Sequence, residues 1–259
     1  MRQNDAVKVI TSSLKKDPFV KAIFLKGSMG RREEDEHSDV DIYVLVEEKE
    51  KEQFLENRQK HLESYRSLIF YDDIFIIAPQ IIAVYDNLLH VDLFTVTEET
   101  LIHRDYIRVL YDPEERLRKH QDNQNLRLSE QDFLDAVDDV AFFFLQYKKA
   151  ADRGNDLWAV KVANDIGMNL TKVLLQKYCP ERAQLGLKTL DQTLPQEVSE
   201  SMKRVYMALS LTRHHDAVKA MAYLVEEQLE WLTDCLGNKN FTIPFLKRMV
   251  GEIKTRTPN

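Results

Sequence analysis

The sequence predicts an α+β fold in two parts. The N-terminal part is expected to be a mixed, mostly antiparallel sheet flanked by helices, and the C-terminal part an all-helical bundle. Three observations predict this division. At about 150 residues per domain, the length of 259 residues predicts about two domains. Short β-branched and aromatic runs fill the first half, and apolar residues recur at helical spacing in the second.

The first half has the pattern of helices alternating with strands. Residues 3–16 and 48–66 have mixed charge and apolar positions three or four apart, which predicts two helices. Breakers or charges separate the apolar runs, so each run is interpreted as one strand. The predicted strands are residues 22–25, 40–46, 67–71, 74–78, 81–86, 88–94 and 107–112.

A polar stretch separates the two halves. Residues 118–125 carry no periodic apolar signal, and we therefore predict a linker over 118–128. The first domain is expected over 1–117 and the second over 129–259.

The second half is predicted to be almost entirely helical. Ser129 and Asp132 have the spacing of a capping box, which predicts a helix from there to about Asp152. Gly154 is expected to end it. Further helices are predicted over residues 156–178, 196–211, 214–236 and 244–254.

Composition and charge exclude several classes of protein. The chain is 44% hydrophobic and 31% charged, as globular proteins are, so a disordered chain is excluded. The longest apolar run, residues 140–145, is far shorter than the roughly 18 residues of a membrane span, and no signal peptide is expected. A net charge of −7 disfavours nucleic acid as a partner. Two cysteines, Cys179 and Cys235, form no disulfide framework and predict a cytoplasmic location.

A glycine-containing turn follows the first predicted strand. Gly27 and Gly30 are the only glycines before Gly154, and Ser28 lies between them. Two interpretations stay open for this turn. It is either a tight turn, or a place where the backbone approaches a phosphate and a side chain would intrude.

Acidic residues on two strands form a candidate metal site. Asp39 and Asp41 begin a strand, and residues two apart in a strand share a face. Two carboxylates side by side are costly without a cation, and a divalent ion with oxygen ligands relieves that cost. Asp92 interrupts an apolar strand and is expected beside them, because a lone buried charge is usually paired or metal-bound. The seven histidines show no HxxxH pair, so a histidine-built metal site is not expected.

The stretch GSMGRREEDEHSDVDIYVLV (27–46), with Asp92 as a third acid, resembles the signature of the nucleotidyltransferase superfamily that includes DNA polymerase beta. More narrowly it resembles the aminoglycoside and lincosamide nucleotidyltransferases. VLYDPEERL (109–117) resembles the element that closes their catalytic domain. The resemblance implies transfer of a nucleoside monophosphate from an NTP, with ATP expected, to a hydroxyl of a small molecule such as one of these antibiotics, with release of pyrophosphate.

The resemblance also implies roles for the three acids. Asp39 and Asp41 would hold one or two Mg²⁺ ions that bridge the triphosphate. Asp92 would complete the site of a second ion or help to activate the acceptor, which gives it a catalytic role as well. The expected cofactors are therefore Mg²⁺ and the NTP.

Binding of the triphosphate is implied for a second group of residues. Gly27 and Ser28 would offer backbone N–H groups and a hydroxyl to the β- and γ-phosphates. Arg31 would neutralise the triphosphate tail, with Arg32 as the alternative. Lys149 has the spacing of a lysine that binds the triphosphate in the aminoglycoside enzymes.

The catalytic base is expected on the first helix of the second domain. On a helical wheel Asp139 lies in a polar stripe and Asp138 at the edge of the apolar surface. If the stripe faces the cleft, Asp139 is the base; if only a partly buried acid can have its pKa raised, Asp138 is better placed. A third interpretation is that these acids form a solvated face near a helix N-terminus.

Partners and alternatives follow from the same resemblance. The helical domain is expected to bind the acceptor and to form a homodimer, as in the related enzymes. One alternative function is nucleotidylation of a protein or RNA, as in antitoxin-like relatives. The other is a non-catalytic nucleotide-binding protein on the same fold.

Overall fold

The chain folds into two compact units, residues 1–125 and 126–259, and each is described by itself. The boundary falls inside the stretch predicted as a linker, whose role as a linker stays a prediction. A computed structural model describes residues 1–101, 105–122, 124–237 and 241–257. Within these ranges every helix is too short or too polar to span a bilayer.

The N-terminal unit is built on one sheet of six strands in the order β3-β4-β5-β2-β1-β6. Only the β2–β5 pair is parallel among these strands, so the predicted mixed, mostly antiparallel sheet is confirmed. The described elements are α1 (Arg2–Leu14), β1 (Val20–Leu25), α2 (Gly27–Arg31), β2 (Val40–Val46), a 3-10 turn (Glu48–Glu50), α3 (Lys51–Glu63), β3 (Leu68–Phe75), β4 (Pro79–Tyr85), β5 (His90–Val96), β6 (Arg108–Tyr111) and a 3-10 turn (Arg118–His120).

The sheet separates two apolar clusters. Alternate residues of a strand point to opposite faces, and Ile42 and Val44 of β2 therefore pack in the cluster that includes residues of α1 and α3. Tyr43 and Leu45 belong to the other cluster, with Phe24 and Phe94. By the same alternation Asp41 projects from this second face, away from α1 and α3.

Strand β3 corrects the prediction of separate strands over 67–71 and 74–78. One strand, Leu68–Phe75, runs through Asp72 and Asp73. It lies at the edge of the sheet, where charged side chains reach solvent or a partner. Asp73 accepts two hydrogen bonds from Arg58, at 2.8 and 3.0 Å. The two acids therefore do not interrupt the strand, contrary to what their charge indicates in the sequence.

The C-terminal unit is helical throughout its described residues apart from connecting turns, as predicted. Its elements are α4 (Glu130–Asp152), α5 (Asp156–Tyr178), a 3-10 segment (Pro180–Lys188), α6 (Leu190–Thr193), α7 (Gln196–Ala208), α8 (His214–Glu226), α9 (Leu229–Leu236) and α10 (Thr242–Thr255). The predicted capping box is present: Asp132 N donates to Ser129 Oγ at 3.1 Å, and Ser129 N donates to Asp132 Oδ2 at 3.2 Å.

The prediction of a single helix over 214–236 is wrong. It divides into α8 and α9 at Glu227 and Gln228. Gln228 N donates to Val225 O at 2.9 Å, a bond to the third residue back that tightens the turn. The buried Gln228 side chain accepts from Lys177 Nζ at 2.7 Å. That contact comes from a distant part of the chain and leaves no trace in the local apolar pattern.

Candidate active site

Two of the predicted acids lie on neighbouring parallel strands. Asp41 on β2 is opposite Asp92 on β5, and Tyr43 is opposite Phe94 two pairs further along. Neighbouring strands are about 4.8 Å apart, so both carboxylates emerge side by side on the face that carries Tyr43. The fold thus joins acids that are distant in the sequence.

Asp39 and His90 extend this acid pair. The Asp39 side chain is 51% exposed, and its Oδ2 lies 3.8 Å from His90 Nδ1. His90 Nε2 donates to Asp92 Oδ1 at 3.1 Å, and that hydrogen bond is the main cause of a raised pKa of His90, which burial opposes. One ligand atom each from Asp39, His90 and Asp92 lies within 4.8 Å of the other two. These three residues could hold a metal ion.

His90 is a candidate functional residue that the sequence prediction omits. The HxxxH spacing considered there belongs to helices. His90 and Asp92 are two apart on a strand, and they therefore share a face. The signal that could have found His90 is the pattern His-Val-Asp at 90–92, which has the same spacing as Asp-Val-Asp at 39–41.

The charge on Asp41 is not fully compensated by protein groups. Burial raises the pKa of Asp41 to about 6, the negative charges of Asp39 and Asp92 add to the rise, and His90 opposes it. A divalent cation would relieve such a cluster. The carboxylates of Asp39 and Asp92 with the imidazole of His90 are a donor set that fits such an ion, and Asp41 lies opposite Asp92 on the neighbouring strand.

Lys26 supplies positive charge at the same end of the sheet. It is 8% exposed, and its Nζ lies 5.2 Å from the centre of the Tyr43 ring. Burial lowers the pKa of Lys26, and the nearby carboxylates of Asp105 and Asp41 oppose that shift. Lys26 is a second residue that the sequence prediction does not single out, because a lysine before a turn is usually a solvated charge.

Both glycines of the turn are required by close contacts inside the unit. Gly27 has a φ of +61°, and a Cβ there would lie 2.1 Å from Asp41 Oδ2. A Cβ on Gly30 would lie 2.6 Å from Tyr106 O and 2.9 Å from Leu25 O. A tight turn is thus sufficient to explain the two glycines. Contact of phosphate groups with Gly27 and the half-buried Ser28 stays a prediction.

The Arg31 side chain is held by two acids. Its Nε lies 3.0 Å from Glu33 Oε2, its NH1 lies 2.8 Å from Asp105 Oδ2, and only 13% of the side chain is exposed. Arg32 is exposed and has a left-handed φ of 62°. Arg31 is therefore no freely solvated loop charge. To bind a triphosphate it would exchange its carboxylate partners for phosphate oxygens.

On α4 of the helical unit, Asp139 rather than Asp138 is the partly buried acid. Asp138 is exposed and accepts from Thr242 Oγ1 at 2.7 Å. Asp139 is half-buried, and burial raises its pKa while Lys172 opposes the rise. The helical wheel predicted the wrong one of the two acids to be partly buried, because it represents one helix without its neighbours. Lys149 is exposed.

Part of the N-terminal unit matches a known sequence family. Residues 8–83 match the sequence family described as Polymerase beta, Nucleotidyltransferase. The predicted resemblance is confirmed over that segment, which is less than a third of the chain and ends before Asp92. No curated protein sequence matches the chain.

Three solved structures are distant matches. An aminoglycoside 6-adenyltransferase from Bacillus subtilis is 13% identical, with 99% of this chain and 99% of that chain covered and a TM-score of 0.40. A nucleotidyltransferase-like protein from Exiguobacterium sibiricum is 14% identical, with coverages of 96% and 88% and a TM-score of 0.44. A STING-associated CdnE c-di-GMP synthase from Capnocytophaga granulosa is 14% identical, with coverages of 98% and 78% and a TM-score of 0.32. Matches this distant do not bear on the reaction of this chain.

Proposed function

We propose that this chain is a nucleotidyltransferase that moves a nucleoside monophosphate from an NTP, with ATP expected, to a hydroxyl of a small molecule. Aminoglycosides and lincosamides are the acceptors to test first. The observation that carries the proposal is the parallel register of Asp41 and Asp92, with Asp39 near Asp92. Gly27 lies so close to Asp41 that a Cβ there would overlap the carboxylate. Such a cluster suits phosphoryl chemistry, in which catalysis is mainly positioning and charge neutralisation.

In the proposed reaction the acceptor oxygen forms a bond to the α-phosphorus while the bond to the pyrophosphate oxygen breaks. The hydroxyl proton passes to a base, and pyrophosphate leaves. Asp39, Asp41 and Asp92 would hold one or two Mg²⁺ ions. When bound, such ions neutralise charge on the phosphates.

Protein groups would orient the triphosphate. Gly27 and Ser28 would contact the β- and γ-phosphates at the start of α2. Arg31 would neutralise the triphosphate tail, and Lys26 is added to it because it is buried beside Asp41. Lys149 is proposed as a further contact on the resemblance alone.

Asp139 is the proposed base, and its neighbour Asp138 provides the discriminating variant. We expect Asp139→Asn to lower kcat at least about 100-fold with little change in the KM for the nucleotide, a usual effect of removing a general base. The pKa of Asp139 is raised. As the pH is lowered, native activity should therefore begin to fall at a higher pH than it would with an ordinary aspartate as the base. Asp139→Asn should lose that acidic limb. Asp138→Asn should keep both kcat and the limb, and the reverse pattern would make Asp138 the base.

We also propose a cellular location and an oligomeric state for the enzyme. A cytoplasmic location is supported by the cysteine content, and a homodimer is expected from the resemblance. Light scattering on the full chain at several concentrations measures the oligomeric state. A monomer at all of them would contradict the dimer.

The proposed function predicts nucleotide-dependent modification of a small acceptor. The full chain with Mg²⁺ is supplied with one NTP at a time and a panel of hydroxylated antibiotics, and pyrophosphate release and acceptor mass are followed. We expect one acceptor to gain the mass of a nucleoside monophosphate, and Asp92→Asn to show no gain. A parallel reaction with labelled NTP and cell lysate detects a protein or RNA acceptor. Equal background for native and variant in both formats would remove the proposal and leave a nucleotide-binding role.

A further inference from the structure

His90 faces the carboxylates in a way that fits direct binding of an ion. Ligands of an octahedral ion lie about 2.1 Å from it, so adjacent ligands are about 3.0 Å apart and opposite ones about 4.2 Å. His90 Nε2 and Asp92 Oδ1 are 3.1 Å apart, the spacing of adjacent ligands. The ligand atom of Asp39 lies within 4.8 Å of the other two. A small movement of the half-exposed Asp39 side chain would close that gap.

We infer that the imidazole of His90 is a direct ligand of a divalent ion shared with Asp39 and Asp92, and that this position prefers a transition-metal ion to Mg²⁺. The inference deepens the proposed function, on which it rests for the presence of an ion at this site. It adds a nitrogen ligand to a set that the sequence predicts to be entirely carboxylate.

The surroundings of the three ligands are ordered as those of a metal site usually are. Gln80 on β4 is 7% exposed, and its Nε2 donates to Asp92 Oδ1 at 2.9 Å. This bond fixes the orientation of the Asp92 carboxylate. The second nitrogen of His90, Nδ1, faces Asp39 Oδ2 at 3.8 Å. That distance is too long for a hydrogen bond, so the Asp39 carboxylate can turn toward an ion bound by His90 and Asp92.

The nitrogen ligand changes which ion is favoured. Carboxylates and water suit Mg²⁺ and Mn²⁺, whereas imidazole suits the first-row transition ions. Mg²⁺ usually keeps an all-oxygen shell and loses its water reluctantly. A set of two carboxylates and one imidazole therefore discriminates against Mg²⁺ and still accepts Mn²⁺, which makes Mn²⁺ the practical probe.

Pulsed EPR on Mn²⁺-loaded full-length protein tests the inference without an activity measurement. After removal of metal with a chelator, the native protein is titrated with Mn²⁺ and then with competing Mg²⁺. We expect electron spin-echo modulation from a directly bound ¹⁴N nucleus. In His90→Asn that modulation should disappear, and Mn²⁺ affinity should fall at least about 10-fold, the lower end of the effect of disturbing a metal site. Mg²⁺ affinity should change much less.

Two control variants make the result decisive. His37→Asn makes the same chemical change at a histidine whose side chain is 83% exposed, and it should keep the ¹⁴N modulation. Asp92→Asn should weaken Mn²⁺ binding and the ¹⁴N signal together. Circular dichroism checks that each variant is folded.

The possible failures are distinguishable from each other. A native protein that binds Mn²⁺ without ¹⁴N modulation, or a His90→Asn variant that retains it, overturns the inference even if nucleotidyl transfer is observed. A ¹⁴N signal that depends on His90, in a protein with no transferase activity, supports the inference and removes the proposed function. Failure of the native protein to bind Mn²⁺ at all overturns the inference as well.

Discussion

Asp41→Asn is expected to abolish nucleotidyl transfer and, without metal, to make the protein more stable than the native chain. Removing a carboxylate that binds the proposed ion should lower kcat/KM by at least about 1,000-fold, or about 4 kcal/mol of transition-state stabilisation. Replacement of a residue that only supports the fold would not combine a loss of activity with a gain of stability. The neutral amide has nearly the same size as the carboxyl group, so the packing around it should persist.

The gain in stability follows from the pKa of Asp41. The pKa is about 6 in the folded protein against an ordinary value of 3.8, so the folded state binds the proton more tightly than the unfolded state does. Stability therefore falls as the pH rises from about 4 to 6, and the penalty persists at neutral pH. At about 1.4 kcal/mol per pKa unit, the asparagine variant should regain about 1–3 kcal/mol.

Urea unfolding in a chelator measures the stability of the native protein and of Asp41→Asn without metal. Urea unfolding with saturating Mn²⁺ measures how much the metal stabilises each of them. Ligand binding stabilises only the state that binds it, so Mn²⁺ should stabilise the native protein more than the variant. Asp72→Asn is the matched control, because Asp72 is an exposed acid of β3 in the same sheet. It should leave activity and stability nearly unchanged. Full activity of Asp41→Asn, or its marked destabilisation in the chelator, would contradict the interpretation of Asp41.

Gly27→Ala is expected to have the second-largest effect. A Cβ at Gly27 would lie 2.1 Å from Asp41 Oδ2, so the carboxylate or the turn must move. A displacement of about 1 Å in a catalytic group can cost about 100-fold in rate, and we expect at least that loss. The positive φ of +61° adds strain, of order 1–2 kcal/mol for a residue with a side chain.

Two other glycines separate the clash from the strain. Gly154 has a similar φ of +67° and no atom within 4 Å of a built Cβ, so Gly154→Ala should cost about 1 kcal/mol for backbone strain alone and keep full activity. Gly251 lies inside α10 with open space around it and without a positive φ, so Gly251→Ala should stabilise the helix by about 0.5–1 kcal/mol. If Gly27→Ala keeps full activity, as Gly154→Ala should, the close approach of Gly27 to Asp41 is not required for catalysis.

Prediction from the sequence was most successful where the pattern is local. Strand 40–46 and helix 156–178 have the predicted bounds, because an apolar alternation and a long helical repeat are each contained in one segment. The predicted strands 67–71 and 74–78 form one strand because an edge position tolerates Asp72 and Asp73. The predicted helix 214–236 is divided at a side chain held from a distant helix.

The candidate site also contains residues that the sequence reveals and residues that it does not. Asp39 and Asp41 were identifiable because the acids, the turn before them and the strand after them are contiguous. Asp92 was identifiable because a charge in an apolar run needs a partner. His90 and Lys26 were not, because each has functional significance only through neighbours from other strands, and a single histidine or lysine carries no pattern of its own.

The sequence by itself determined that this protein has an α/β part followed by helices, and that a Gly-Ser turn precedes two acids on one strand. Those features depend on residue order and on the backbone periods of strands and helices, which are local. Only the tertiary structure decided that Asp92 is opposite Asp41, that His90 lies between Asp39 and Asp92, and that Asp139 is more buried than Asp138. Burial, register and electrostatic coupling are properties of segments packed together, and no single segment contains them.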